Sequence, residues 1–444
     1  MQHKLGVFLF GLVFLTVAIG ANGQQKAEEE FVSATGQFGI MLPPNTPDYD
    51  SARLKIGDNK LIAWAYRWQL DKEQAVVIYA IGKVDLESRA DFYLESLRDT
   101  YAPGSVRNQK KTSFAGHPGL VSVVDSKTGS AMIWTYLLKN RFYMMSLTLD
   151  DKSRTEDHLK LMSTFRLLSR KDIEPRLTAM AEELTPKPLA EASAPSRPTT
   201  DAQDAALKGP VKTVITESEP YLDGSLIGAV EMVSVENYDE HGNLEKTVYY
   251  EDSLPRRVRL YGSHEGERAF REIRQVERWA ESQDKNVSGI TAIKSEPKVF
   301  TIKYKHDPDG KLLQMRVLGD DGKEMETASY NLKDKTVTRR YNADYLIIRR
   351  RLTKMVSRLD ANGLSTEDEY EVHAPTTFSE RFQFSPAFGF SFFDDSHEHF
   401  RTDKERYEYK FDNRGNWIQR KTFTVKDKQP VSIAVTYRTI MYYQ

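Results

Sequence analysis

The sequence predicts an α+β protein in two parts, a mixed strand-and-helix N-terminal domain and a C-terminal domain of antiparallel β-hairpins. Three observations carry the prediction. Alternating apolar positions before residue 170 are interrupted by one stripe at helical spacing. A stretch at 183–210 is rich in Pro, Ala, Ser and Thr and holds no aromatic residue, the composition of a semi-extended linker. Beyond it, aromatic alternation runs repeatedly into Asp-x-x-Gly corners. Tyr407, Tyr409 and Phe411 lead into Asp412, Gly415 closes the turn, and Trp417 restarts the strand. Asp suits the first position of a type I turn, and Gly supplies the positive φ that ends it without a Cβ clash.

The N-terminus has a basic start (His3, Lys4), an apolar run over 5–19 and an Ala21-Asn22-Gly23 exit. This is the layout of a secretory signal peptide cleaved after Gly23. A membrane anchor would need about 20 apolar residues and basic flanks, whereas Glu28, Glu29 and Glu30 follow here. No later run is long enough to span, so no membrane span is expected after cleavage. The chain has no cysteine, and so no disulfide. A chain of this size can bury enough surface to fold without one. Export without cysteine points to the periplasm or the outside of a bacterial cell. The 63 basic and 64 acidic residues nearly cancel, which leaves no global attraction for nucleic acid.

In the first domain, spanning 30–170, a strand at 61–70 sets Trp64, Tyr66 and Trp68 on one face, and 74–84 is a second strand. Asp85 caps a helix in which Ala90, Tyr93, Leu94 and Leu97 form one stripe. Three further strands and a helix near 155–162 follow. This order, with the opening Gly36-x-Phe38-x-Ile40-x-Leu42-Pro43, resembles PsbP-like proteins. The resemblance implies an α/β/α sandwich and a non-catalytic accessory role in the envelope.

In the second domain, 211–444, turn phrases recur at Asp239–Gly242, Asp307–Gly310, Asp360–Gly363 and Asp412–Gly415, with a looser one ending at Gly322. Their unequal spacing predicts hairpins of unequal length in an extended sheet or open barrel. The stretch 267–281 is expected to be a helix, because Phe270, Ile273, Val276 and Trp279 are spaced by three among strong helix formers. The turn phrases resemble the Tyr-Asp (RHS-like) repeats of bacterial exported proteins, which build β-rich shells.

For metal chemistry the candidate residues are Asp395, His397 and His399, which share a face on a strand; the plainer reading is an acidic turn with two surface histidines. Phe382, Phe384, Phe388, Phe390 and Phe392 keep one parity, as a contact patch or as core. The basic runs Arg256-Arg257-Val258-Arg259 and Arg349-Arg350-Arg351 read either as anion contacts or as the wet side of a strand. Phosphate loops, nucleophile elbows and calcium loops are absent, so no catalytic residue and no cofactor is assigned. The expected function is a non-catalytic binding or scaffold protein of the bacterial envelope, with an envelope protein or polysaccharide as partner. The alternative is a hydrolase of an envelope polymer with its site in the C-terminal domain.

Overall fold

The computed structural model describes residues 29–42, 48–57, 59–70, 73–98, 106–126, 129–149, 160, 162–189, 197–222, 225–226, 230–251, 253–281, 288–342, 351–373, 400–426 and 429–444. The first elements among the described residues are β1 (Glu29–Ser33), β2 (Phe38–Leu42), β3 (Asp48–Ile56), β4 (Asn59–Leu70) and β5 (Glu73–Ile81). Helix α1 (Ala90–Arg98) leads to β6 (Val106–Phe114), β7 (His117–Ser126), β8 (Gly129–Leu138), β9 (Arg141–Leu149) and β10 (Arg166–Leu167). Asp85 Oδ1 accepts the Glu87 and Ser88 amides ahead of α1, as its capping role requires.

Seven strands form one antiparallel sheet in the order β3-β4-β5-β9-β8-β7-β6. One face carries Ile56, Leu61, Ile78 and Phe142 under Tyr93, Leu94 and Leu97 of α1. The other carries Trp64, Tyr66, Trp68, Tyr79 and Tyr143 against Phe38, Ile40 and Phe165. Phe38 and Ile40 belong to a small sheet, β1-β2-β10. The aromatic strand face is therefore core, and Trp68 is only 2% exposed. The expected α/β/α sandwich is corrected: among the described residues the face opposite α1 is covered by a three-stranded sheet together with Met162 and Phe165, at and just beyond the short helical stretch 162–163. Period-two apolar residues such as Phe38 and Ile40 cover a sheet as well as a helix stripe does, and order alone does not separate the two.

Next come α2 (Arg170–Glu183) and the one-turn α3 (Asp201–Asp204). The strands that follow are β11 (Val211–Leu222), β12 (Ser225–Leu226), β13 (Glu231–Tyr238), β14 (Leu244–Glu251), β15 (Leu254–His264), β16 (Glu267–Glu281), β17 (Ser288–Lys294) and β18 (Lys298–His306). Then come β19 (Leu312–Leu318), β20 (Glu324–Asn331), β21 (Thr336–Tyr341), β22 (Arg351–Leu359), β23 (Ser365–His373), β24 (Phe400–Phe411), β25 (Trp417–Lys426) and β26 (Gln429–Tyr442). Apart from β12 and β17, each strand pairs with its successor, and β11 also pairs with β26. The result is a closed, 14-stranded antiparallel barrel. This corrects both the α+β class and the expectation of an extended sheet or open barrel, because the protein is almost entirely β.

The predicted helix at 267–281 is also corrected, since these residues form β16. Its period-three apolar residues fall alternately on two faces, and both are covered. Phe270 stacks on Phe300 inside the barrel, 4.9 Å between centroids. Ile273 packs outside against Ala181 and Leu184, at and just beyond the end of α2. Tertiary burial on both sides overrides helix propensity.

The four Asp-x-x-Gly phrases share one geometry. In each, the Asp Oδ1 accepts the amides two and four residues on, as Asp412 does from Arg414 (2.9 Å) and Asn416 (2.8 Å). Asp239, Asp307 and Asp360 do the same. The glycines have φ of +83°, +80°, +81° and +81°, and each turn is preceded by a register shift. That is a type I turn closed by a bulge. Strand parity puts all four at one rim. The fifth phrase lies at the opposite rim, with Gly319 in the Asp position.

Candidate functional site: the barrel interior and its stopper

Cross-strand register decides which side chains point inward. Thr247 faces Arg259, Arg259 faces Glu272, Phe270 faces Phe300, and Ile302 faces Val317. Val317 faces Glu326, Ala328 faces Arg339, Arg339 faces Met355, and Met355 faces Tyr370. Asp368 faces Glu405, Tyr409 faces Arg420, Arg420 faces Thr436, and Arg438 faces Thr216, which faces Ser234. Because side chains alternate along a strand, these residues and their i±2 neighbours line a single surface. The circuit closes without a parity break. Fourteen strands enclose more than the roughly eight whose side chains fill a barrel outright.

One wall of this interior is an arginine cluster. Glu272, 2% exposed, accepts Arg259 Nε at 2.6 Å and is bonded by Arg274 Nε, with Arg257 Nε 4.0 Å away. Burial alone would raise the Glu272 carboxyl, yet Arg259, Arg274 and Arg257 hold it below the ordinary range. Arg257 lies over the Tyr249 ring at 3.9 Å, and Arg259 over Phe270 at 4.4 Å. Glu326 is pushed up by burial, and Arg259, Arg339 and Arg257 oppose the shift. Arg257 and Arg259 are thus neither a solvated strand face nor open to an anion. They are committed to Glu272.

The wall at β23 and β24 is acidic and phenolic. Tyr407 Oη donates to Asp368 Oδ2 at 2.7 Å and lies 3.0 Å from Glu405 Oε2. Tyr370 Oη is 2.9 Å from Tyr407 Oη and 3.1 Å from Glu405 Oε2. Two hydroxyl protons serve two carboxylates, so each tyrosine satisfies one acid. Burial raises both phenols far above their ordinary value, followed by Glu405 and Asp368 at Tyr370 and by Tyr370, Asp368 and Glu405 at Tyr407.

Of residues 183–210, read from sequence as a linker, 183–189 lie against the outside of the barrel and 197–210 lie at its rim. Arg271 Nη1 donates to the Lys187 carbonyl at 3.1 Å on the outer face. At the rim, Pro198 abuts Gly310, Thr200 and Ala202 abut Gly242, Ala206 reaches Gly363, and Lys208 lies over Gly415. This path runs over turns on well-separated strands and closes that mouth as a stopper. Asp201 and one edge of Arg197 are anchored to one another and to the wall. Asp201 accepts Arg197 and Arg268 at 2.8 Å each and also the Leu244 amide. The Arg197 guanidinium stacks on Tyr304 at 4.4 Å. Asn416, 1% exposed, forms the latch. Its Oδ1 accepts the Lys208 amide (2.7 Å), and its Nδ2 donates to the Lys208 carbonyl (2.9 Å) and to Tyr442 Oη (2.7 Å).

No protein-family model and no curated protein matches this sequence. Two solved structures show a low likeness. A porin-like protein from Bacteroides uniformis is 11% identical with a TM-score of 0.26, over 53% of this chain and 99% of its own. Cyanobacterial PsbP (CyanoP) from Synechocystis sp. PCC 6803 is 10% identical with a TM-score of 0.22, over 34% of this chain and 98% of its own. At such scores neither likeness carries a functional argument. Neither comparison supplies evidence for the Tyr-Asp repeat resemblance.

The metal candidates Asp395, His397 and His399, the Phe382–Phe392 run, Arg349, Arg350 and the signal segment lie outside the described residues. Among the described residues, no three His, Asp or Glu side chains are grouped to hold a metal ion. Sequence reasoning missed the luminal residues. Glu272, Arg420 and Arg438 sit in strands charged at alternate positions on both faces, so polarity could not mark the inside. Asn416 lies between Gly415 and Trp417 of the fourth turn phrase, where nothing in the sequence marks it as a latch.

Proposed function

We propose that the chain is an exported, non-catalytic binding protein of the bacterial envelope, whose barrel stands in water as a stoppered cup and not in lipid as a pore. The outer face of the wall carries the reading. It presents rows of charge at β18–β25, including Lys303, Arg316, Arg340, Lys354, Lys404 and Arg406. Lys404 pairs with Glu369 at 3.2 Å, Arg406 with Glu367 at 3.2 Å, and Arg316 with Glu324 at 2.7 Å. Arg406 remains 63% exposed. A lipid-embedded barrel needs an apolar band about 25 Å tall, and each Arg or Lys at its midplane costs about 2–4 kcal/mol. The rows here would cost on the order of 10 kcal/mol in lipid. The basic-apolar-small pattern of residues 1–23 supports export.

The test is reconstitution of residues 24–444. Purification as a monodisperse species without detergent, and no conductance steps in a planar bilayer, are the expected results. A requirement for detergent together with stepwise conductance would overturn the reading. The hydrolase alternative would draw on the cross-strand pair Asp368 and Glu405. Their engagement by Tyr370, Tyr407 and Ser365 favours a filled hydrogen-bond network over a reacting pair.

A further inference from the structure

Between the arginine cluster and the acidic wall, β25 and β26 carry two more inward arginines, and their surroundings differ from those of Arg259. The Arg438 guanidinium lies 3.8 Å from the Trp417 ring centroid, and that of Arg420 lies 5.5 Å from the same ring and 4.7 Å from Tyr407. Aromatic rings therefore take the faces of both cations, while their N–H groups point along the edges. Both Nε atoms are buried and neither has a hydrogen-bond partner. The nearby acid, Glu236, offsets part of the Arg438 charge, but its Oε2 accepts the Tyr238 hydroxyl at 2.9 Å and it fills neither Nε donor. Two like charges thus sit close together in a desolvated wall, each with an unmet in-plane donor. A protein conserves free energy by pairing such groups, and an unpaired buried donor marks either a cost or a ligand.

We infer that Arg420 and Arg438 form a subsite for an oxyanion group, phosphate, sulfate or carboxylate, of a ligand held in the barrel. The inference rests on the cup reading. An oxyanion has several acceptor oxygens and takes paired N–H bonds from a guanidinium edge. One such group would fill both Nε donors and cancel the mutual repulsion. Trp417 and Tyr407 hold the two planes, so the fork is formed in advance. Tyr409, whose hydroxyl interacts with Arg420, adds a third aromatic wall.

The experiment is calorimetric titration of residues 24–444 with inorganic phosphate, sulfate and acetate, each against chloride at matched ionic strength. Saturable binding of one anion per chain is expected, with affinity falling about tenfold or more in Arg438→Gln and in Arg420→Gln, the loss of one charge-assisted bond. Arg438→Lys, which keeps charge without the fork, should fall between. Arg406→Gln on the outer face should bind like the wild type. No saturable heat with any of the three anions would overturn the subsite, as would an equal loss in Arg406→Gln. Thermal unfolding reports whether each variant folds, and if the Gln variants do not, the wild-type titration decides. Failure of anion binding in a chain that stays monodisperse without detergent removes only the subsite. A detergent requirement with bilayer conductance removes the cup itself.

Discussion

Replacing Asn416 by Ala should release the stopper without dismantling the barrel. The side chain makes three hydrogen bonds, two to the Lys208 backbone and one to Tyr442 Oη, and none can be replaced by water at a site 1% exposed. At about 0.5–1.5 kcal/mol net for each bond, the loss is about 2–4 kcal/mol. The affected chain, 197–209, ends where β11 begins and is held to the wall elsewhere by Asp201 and Arg268. The cost should therefore appear first as local opening. A 3 kcal/mol fall in opening free energy corresponds to about 100-fold faster amide exchange. Hydrogen exchange read at Lys208 and across 200–207 should accelerate by about that factor, while amides of β18 to β20 keep their protection. Unchanged protection at Lys208 would refute the latch. Uniform loosening of every strand would refute the separation of stopper from wall.

Other expectations test the same picture. Glu272→Gln leaves Arg257, Arg259 and Arg274 facing a neutral amide and should cost about 3–5 kcal/mol, seen as a lower midpoint in urea unfolding. The Glu272 carboxyl is held low by its arginines despite burial, so its contribution is present above the unfolded value near 4.5 and is lost as pH falls through the lower folded value. Acid unfolding of the wild type should therefore steepen below about pH 4.5, and the Gln variant should lack that component. Gly242 and Gly266 both have positive φ, +83° and +77°, and either Ala variant pays about 1–2 kcal/mol for that conformation. A Cβ on Gly242 would also meet Thr200 Oγ1 at 3.1 Å, whereas one on Gly266 meets nothing within 4 Å. Gly242→Ala alone should raise exchange at 200–204. Lys404→Ala removes an exposed partner of Glu369 and should shift the urea midpoint by less than about 1 kcal/mol equivalent.

What the sequence reveals about this fold follows the range of the forces involved. The hairpin turns are legible because Asp412, Gly415 and their counterparts satisfy the backbone within five residues. The aromatic face of β4 is legible because period two survives on a sheet covered on both sides. Closure is not legible, because the pairing of Val214 with Ile440 joins opposite ends of the domain with no local mark. The strand nature of β16 is hidden for a related reason. Phe270 and Ile273 each find a partner far away in sequence, inside the ring and outside it, and only the closed ring creates those two environments. The luminal site inherits the same blindness. Arg406 and Arg420 look alike in the sequence, yet one is an outer ion-pair partner and the other a stacked inner cation.

Inside and outside exist only if β11 meets β26, so a cross-link over that seam tests the account most directly. Ile215 and Thr439 are paired across it on the outer face, where antiparallel partners stand about 4.5–5.5 Å apart at Cα, within disulfide range. In a chain without native cysteine, the double variant Ile215→Cys, Thr439→Cys should oxidise to a single intramolecular disulfide, read by mass and by a gel-mobility shift. Two free thiols that persist in the folded protein under the same oxidation would mean that the sheet is open and that no interior exists.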